Sequence, residues 1–201
     1  MRTLLLNYAD PQIPRITHVR GILVAGSRAG LQSIGVYDRY VELLPAAHKD
    51  ALLYYVANSW LPLEVTLAHF EACDRLGLAR SHFDAIGGAL ADRLAKTFMG
   101  AALRTVRSMG ADGQLVWAVS RTDRFLRRVY MGGGCTVEQR GPKDIVLQLN
   151  GVPFAGSAYY QGVLLSQTRA LLGMMCRRLF AQIVPSRPLS RESLAIALSW
   201  V

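Results

Sequence analysis

Long apolar runs are missing from this chain of 201 residues, although 51% of it is hydrophobic. A membrane helix needs about 18 or more consecutive apolar residues. The most apolar stretch, Tyr159 to Met175, is broken by Gln161, Gln167 and Arg169, so no membrane insertion is expected. Met1 to Leu6 has one arginine and a short apolar patch before Asn7, Asp10 and Pro11, which lacks the pattern of a signal peptide and predicts a cytoplasmic location. Cysteine is scarce: Cys73, Cys135 and Cys176, widely spaced and odd in number, fit reduced packing thiols better than a disulfide framework. Charged residues make up only 18%. That low share beside a high apolar one points to a buried partner surface or an internal cavity, with a homodimer as the simplest form.

Catalytic patterns are absent as well. Ser157, in Ala155-Gly156-Ser157, has Ala155 and Tyr159 where a nucleophile elbow places its glycines. Gly87-Gly88 lies in a helical pattern and marks close helix packing, and no phosphate loop ending in Gly-Lys-Ser occurs. Cys135 follows three glycines and reads as a strand thiol rather than a reactive one. The chain is therefore expected not to be an enzyme.

Lysine is nearly missing too. Only Lys49, Lys96 and Lys143 occur, so the net charge of +9 is carried by arginine. Arg104, Arg107, Arg121, Arg124, Arg127, Arg128, Arg177 and Arg178 fall on predicted helices, either as a solvated face with covering stems or as an anion- or partner-binding stripe. No helix-turn-helix, zinc-finger or ribonucleoprotein motif accompanies them, which disfavours nucleic acid. Arg121, Arg124 and Arg128 form the candidate partner surface.

Residues 1–18, with Pro11 and Pro14, read as an extended arm, and 19–201 as a single α+β domain, helical over 19–130 and sheet-containing over 131–201. Val19 to Val24 fits a short strand or a helix entry, and Ser27 fits an N-cap for a helix from Arg28 to Ile34. Short helices follow over Tyr37 to Leu44 and Pro45 to Asn58. Pro62 is tolerated in the first turn of a helix from Pro62 to Arg75, which Gly77 stops. Phe83, Ile86, Leu90, Leu94 and Phe98 recur at helical spacing from Ser81 to Met99. A shorter helix is predicted from Ala101 to Met109. Asp112-Gly113 predicts a turn, and Arg121 to Tyr130 a charged helix.

Beyond Tyr130 the period changes from helical to alternating. Cys135 to Arg140 and Asp144 to Asn150 predict a hairpin turning at Gly141-Pro142. Tyr159 to Leu179 predicts a helix apolar almost all round and therefore buried between layers. Phe180 to Val184 and Leu194 to Trp200 complete a four-stranded antiparallel sheet, although Ser190-Arg191-Glu192-Ser193 leaves open a terminal helix instead.

This order of helices, hairpin, long helix and strand pair resembles the superfamily that includes heme-nitric-oxide-binding domains, the 4-vinyl reductase domain and small trafficking-complex subunits of the TRAPP type. More narrowly, Val19-Arg20-Gly21, Ser59-Trp60-Leu61-Pro62-Leu63-Glu64, Arg124 to Gly132, Gly141-Pro142 and Leu198-Ser199-Trp200 are similar to a family of paralogues abundant in myxobacteria. The resemblance spans roughly Val19 to Val201. It implies a sensing or assembly fold, usually dimeric, with a pocket between helices and sheet. It does not imply heme, because heme-binding members use an axial histidine and a Tyr-x-Ser-x-Arg signature. The nearest counterpart here, Tyr130-Met131-Gly132-Gly133-Gly134, has neither the serine nor the arginine.

His69 and Cys73, four apart on one predicted helix, are the one metal-like spacing, and two further ligands are missing for zinc. No metal and no cofactor are expected. Trp60, His69, Trp117, Tyr130 and Tyr159 lie at predicted junctions and form the candidate ligand pocket. The sequence thus predicts a non-enzymatic regulatory or sensory module that binds a small hydrophobic ligand, a protein partner or both, as a homodimer. The alternative is a TRAPP-like structural adaptor with a filled core and an arginine-rich partner surface.

Overall fold

The computed structural model describes residues 2–94, 111–187 and 190–201. The predicted helix from Ala101 to Met109, with Arg104 and Arg107, lies outside them. In chain order the first elements are β1 (Thr3–Ala9), β2 (His18–Arg20), α1 (Gly21–Ser33), α2 (Tyr37–Leu43), α3 (Ala46–Leu53) and β3 (Trp60–Pro62). Next come α4 (Leu63–Asp74), α5 (Arg80–Leu94), α6 (Ala111–Val119), α7 (Thr122–Val129), β4 (Tyr130–Met131), β5 (Gly134–Gly141) and β6 (Asp144–Asn150). The chain closes with α8 (Ala158–Gly173), β7 (Leu179–Val184) and β8 (Ser193–Trp200). The class is α+β, and no described helix is long and apolar enough to cross a membrane.

Antiparallel pairing joins β1-β5-β6-β8-β7 into a five-stranded sheet, and β3-β2-β4 form a separate three-stranded one. The prediction of four strands misses β1, which pairs with β5 from Thr3 opposite Gln139 to Ala9 opposite Gly134. Leu4, Leu5 and Leu6 run consecutively, so this strand has no alternation to reveal it. The hairpin and the closing pair form as predicted. Leu194, Ile196, Leu198 and Trp200 are all buried on the inner face of β8, which makes the terminal segment strand rather than helix.

Three helical predictions are corrected. Ser27 is not an N-cap but lies inside α1, facing the interior. Residues 111–119 are helical through the predicted Asp112-Gly113 turn, and Leu115 and Val119, four apart, bury one face. The helix opening at Tyr159 ends at Gly173, short of Leu179, because residues 179–184 are taken into the sheet.

Two apolar clusters sit on either side of α8. One lies against the sheet and includes Val137, Ile145, Leu147, Ile196 and Leu198. The other lies among the helices and includes Leu31, Tyr40, Leu52, Ile86 and Tyr159. As its all-round apolarity predicts, α8 is buried between layers: Tyr160 belongs to the first cluster, Tyr159 and Val163 to the second.

Missing side chains let the helices α1, α5 and α8 close up. A Cβ on Gly30 would lie 2.8 Å from Ile86, and one on Gly162 2.4 Å from the Phe83 ring. A Cβ on Gly87 would meet Ser166 Cβ at 2.6 Å and backbone atoms of α8 at 2.7 and 2.9 Å. Gly88, one residue on, has nothing within 4 Å. The neighbouring glycines therefore predict opposite outcomes in urea denaturation. Gly87→Ala forces two backbones apart and costs about 1–3 kcal/mol, whereas Gly88→Ala is neutral or stabilises by up to about 1 kcal/mol through helix propensity.

Candidate functional site

The most polar feature of the interior is built from four helices. Ser27 comes from α1, Tyr40 from α2, His69 and Cys73 from α4, and Tyr159 from α8. His69 is 0% exposed, and both ring nitrogens are engaged. Nδ1 lies 2.8 Å from the Tyr40 hydroxyl and Nε2 lies 2.9 Å from Ser27 Oγ. Ser27 Oγ is in turn 2.5 Å from the Tyr159 hydroxyl.

A neutral imidazole has one donor and one acceptor, so the chain of bonds has two possible directions. With the proton on Nε2, Tyr40 donates to Nδ1, Nε2 donates to Ser27, Ser27 donates to Tyr159, and Tyr159 points to the thiol of Cys73. Only the weak S–H donor is then left over. The reverse direction strands the Tyr40 hydroxyl proton without an acceptor among the described contacts. An unsatisfied buried hydroxyl costs more than an unsatisfied thiol, which favours the Nε2–H tautomer.

Burial and the nearby Arg28 guanidinium push the His69 pKa from 6.5 down to about 3, so the ring is neutral. Burial likewise raises the Tyr40, Tyr159 and Cys73 groups far above their ordinary ranges. Arg28 is held by the Leu52 carbonyl at 2.7 Å and the Tyr37 hydroxyl at 2.6 Å, which ties α1 to the end of α3 and the start of α2. Asp74, closing α4, accepts from the Tyr159 amide at 2.7 Å and from Ser157 Oγ at 3.1 Å. Ser157 itself caps α8 by accepting from the Tyr160 amide. These bonds fix where Tyr159 enters the core.

Around the network, ring contacts run from His69 to Phe70 at 5.3 Å, Phe70 to Phe154 at 4.8 Å and Phe154 to Tyr160 at 4.7 Å. Tyr160 and Tyr130 then share a hydroxyl contact of 3.3 Å. Side chains thus fill a continuous path from the helical cluster to the sheet.

The structure brings together some of the predicted pocket residues and separates others. His69 and Tyr159 share the network, and Tyr130 joins it through aromatic rings. Trp60 instead stacks under Arg20 at 4.1 Å, and Trp117 under Arg121 at 4.4 Å. Arg124 and Arg128 are exposed on the side of α7 away from the buried Leu126 and Val129, whereas Arg121 precedes that helix and is half-buried. Sequence reasoning misses Ser27 and Tyr40, whose polar side chains gain meaning only from a histidine 42 and 29 residues away.

The chemistry open to this cluster is narrow. Ser27 and His69 stand at a nucleophile-to-base distance, but Ser27 is buried within a helix and its hydroxyl is also tied to Tyr159. Cys73 Sγ lies 3.8 and 3.9 Å from the ring nitrogens, a packing contact rather than a shared ligand set. Among the described residues no group of three or more His, Cys, Asp or Glu is placed to hold a metal. Cys135 is fully buried, and burial raises its pKa to about 12, as a packing thiol requires.

Heme meets a further obstacle. His18, His48 and His82 are half-buried near the surface, which leaves His69 as the one interior histidine, with both nitrogens already bonded. Gly132 and Gly134 stand where the heme signature places serine and arginine. A Cβ on Gly132 would come within 2.4 Å of Arg15 O and Ile13, and one on Gly134 within 2.4 Å of Tyr8 O. Gly132 also has φ +92, which disfavours any side chain. The residues 8–15 that follow or end β1 occupy the space such side chains would need, so these residues do not fit a heme grip.

His69 should make folding stability pH-dependent. Between pH 6.5 and about 3 the unfolded chain binds a proton that the folded chain refuses. Stability therefore falls as pH drops through this window, by on the order of 1 kcal/mol per pH unit. Urea titrations from pH 8 to 4 check this, and His69→Gln should flatten the slope. Tyr40→Phe, which leaves Nδ1 unpaired, should cost about 1–3 kcal/mol at neutral pH.

No protein-family model and no curated protein matches the sequence. Solved structures do match. An Fe(II) unliganded H-NOX protein from K. algicida is 8% identical, with a TM-score of 0.59 over 90% of this chain and 96% of that one. An oxygen-binding H-NOX domain related to soluble guanylate cyclases is 9% identical, with a TM-score of 0.55 over 90% and 94%. A mutant H-NOX of T. Tengcongensis is 9% identical, with a TM-score of 0.54 over 90% and 97%. At such low identity with near-complete coverage of both chains, what is shared is the backbone arrangement: this chain has the H-NOX fold.

Proposed function

We propose that this chain is a non-enzymatic regulatory module that uses the H-NOX fold without heme. The carrying observation is the saturated His69: an axial ligand needs a free nitrogen, and here Tyr40 and Ser27 take both. The crowded Gly132 and Gly134 support the same reading independently of His69. The oxygen-binding neighbour supports a sensory role for the fold, carried over here as part of the proposal. A regulatory signal in this chain enters through a protein partner or a small hydrophobic ligand, with no histidine–iron bond. Titration of the purified protein with hemin, followed by absorbance and by native mass spectrometry, tests this. The expected result is no stoichiometric Soret shift and no heme adduct. A saturating one-to-one Soret shift that is lost in His69→Ala would overturn it.

A second reading, assembly as a homodimer, is favoured by the edge strand β7. Phe180 is 48% exposed on it and Met174, just after α8, is 49% exposed, beside Arg177 and Arg178. An unpaired sheet edge with large apolar side chains is a pairing surface. Light scattering across a dilution series should give twice the 22.1 kDa chain mass, and Phe180→Glu should return it to one chain. A monomer at every concentration excludes this assembly.

A further inference from the structure

A groove of about 290 Å³ crosses the outer face of the five-stranded sheet. This is the face away from the His69 core, since Thr136 and Glu138 alternate with the core residues Cys135 and Val137, and Val146 and Gln148 with Ile145, Leu147 and Leu149. A sheet face turned outward would ordinarily be wet. Val146 and Gln148 are instead buried, because the chain after β7 folds back over them. Gln148 holds that strap: its Oε1 accepts from the Arg187 amide at 2.8 Å, and its Nε2 donates to Asn150 Oδ1 at 2.7 Å.

Three arginines, Arg2, Arg140 and Arg187, line the groove against a single carboxylate, Glu138. Both Glu138 oxygens are occupied, one by Arg2 at 3.4 Å and the other by Arg140 at 3.1 and 3.2 Å. The carboxylate therefore orients two guanidinium groups, and Arg187 has no ion-pair partner among the described residues. The lining keeps two positive charges in excess. Leu4, Val146 and Pro185 supply apolar walls, and Thr136 a hydroxyl. The volume lies at the small end of the roughly 300–1,000 Å³ that small-molecule sites occupy.

We propose that this groove binds a small organic phosphate monoester. Such a group carries about −1.5 to −2 charges at neutral pH, which matches the excess, and its oxygens suit planar guanidinium donors. The phosphoryl group lies among the rim arginines, and the organic part lies against Leu4, Val146 and Pro185. The site shares no residue with the His69 network, so it stands or falls apart from the heme-free reading.

The test is titration of the ¹⁵N-labelled full chain with phenyl phosphate at low salt. The proposal expects saturable one-to-one binding with amide shifts at Thr136, Gln148 and Arg187. Arg187→Ala, at an exposed position, should weaken binding by about tenfold or more. Arg124→Ala, on α7, should leave it unchanged. Phenol, which lacks the charge, and inorganic phosphate, which lacks the apolar part, should each bind at least about tenfold more weakly. The proposal is overturned by absence of saturation, by equal binding in Arg187→Ala, by shifts confined to α7, or by equal affinity for inorganic phosphate.

Discussion

A neutral imidazole sealed between two hydroxyls is the constraint around which this interior is arranged. His69 draws Tyr40 from α2, Ser27 from α1 and, through Ser27, Tyr159 from α8 into one hydrogen-bonded chain. Buried polar groups of this kind stabilise a fold only when every member is satisfied. The satisfaction here depends on backbone placement: Asp74 sets the start of α8, Arg28 joins α1 to α2 and α3, and glycines on α1, α5 and α8 let those helices approach. Changing one of these moves the partners of the others.

The same arrangement decides how far the likeness to solved structures reaches. A fold that covers nine tenths of the chain also meets an oxygen-binding domain almost end to end. Yet backbone likeness at 9% identity says nothing about what the interior holds. Two features of the interior do not fit heme. The interior histidine is bonded on both sides, and the two signature positions are glycines pressed against the backbone of residues 8–15. The glycines at those two positions and the close approach of that segment are one structural fact seen from two sides.

Much of the sheet half is legible in the sequence because its largest apolar side chains alternate along the strands. Ile145, Leu147 and Leu149, then Leu194, Ile196, Leu198 and Trp200, alternate cleanly with residues on the other face, and that alternation is what the core demands of a strand. The strand β1 escapes notice because its leucines are consecutive and both its faces are partly covered. Glycine-rich α1 reads as a short strand or helix entry followed by a cap at Ser27, since its glycines and Ser27 weaken the helical signal and become helical where α5 and His69 press on them. Of the site, His69 and Tyr159 are visible as candidates. Tyr40 and Ser27 are not, because a lone hydroxyl has no local signature of burial and its partner is set by tertiary packing.

The most direct test of the account is the state of one ring. Long-range ¹H–¹⁵N correlation of the imidazoles, recorded from pH 8 to 4 with and without equimolar hemin, reads the His69 tautomer, its charge and its access to iron together. The account predicts a neutral ring protonated on Nε2 throughout, with signals unchanged by hemin. A His69 that titrates near pH 6, or whose signals are lost on adding hemin, would contradict it.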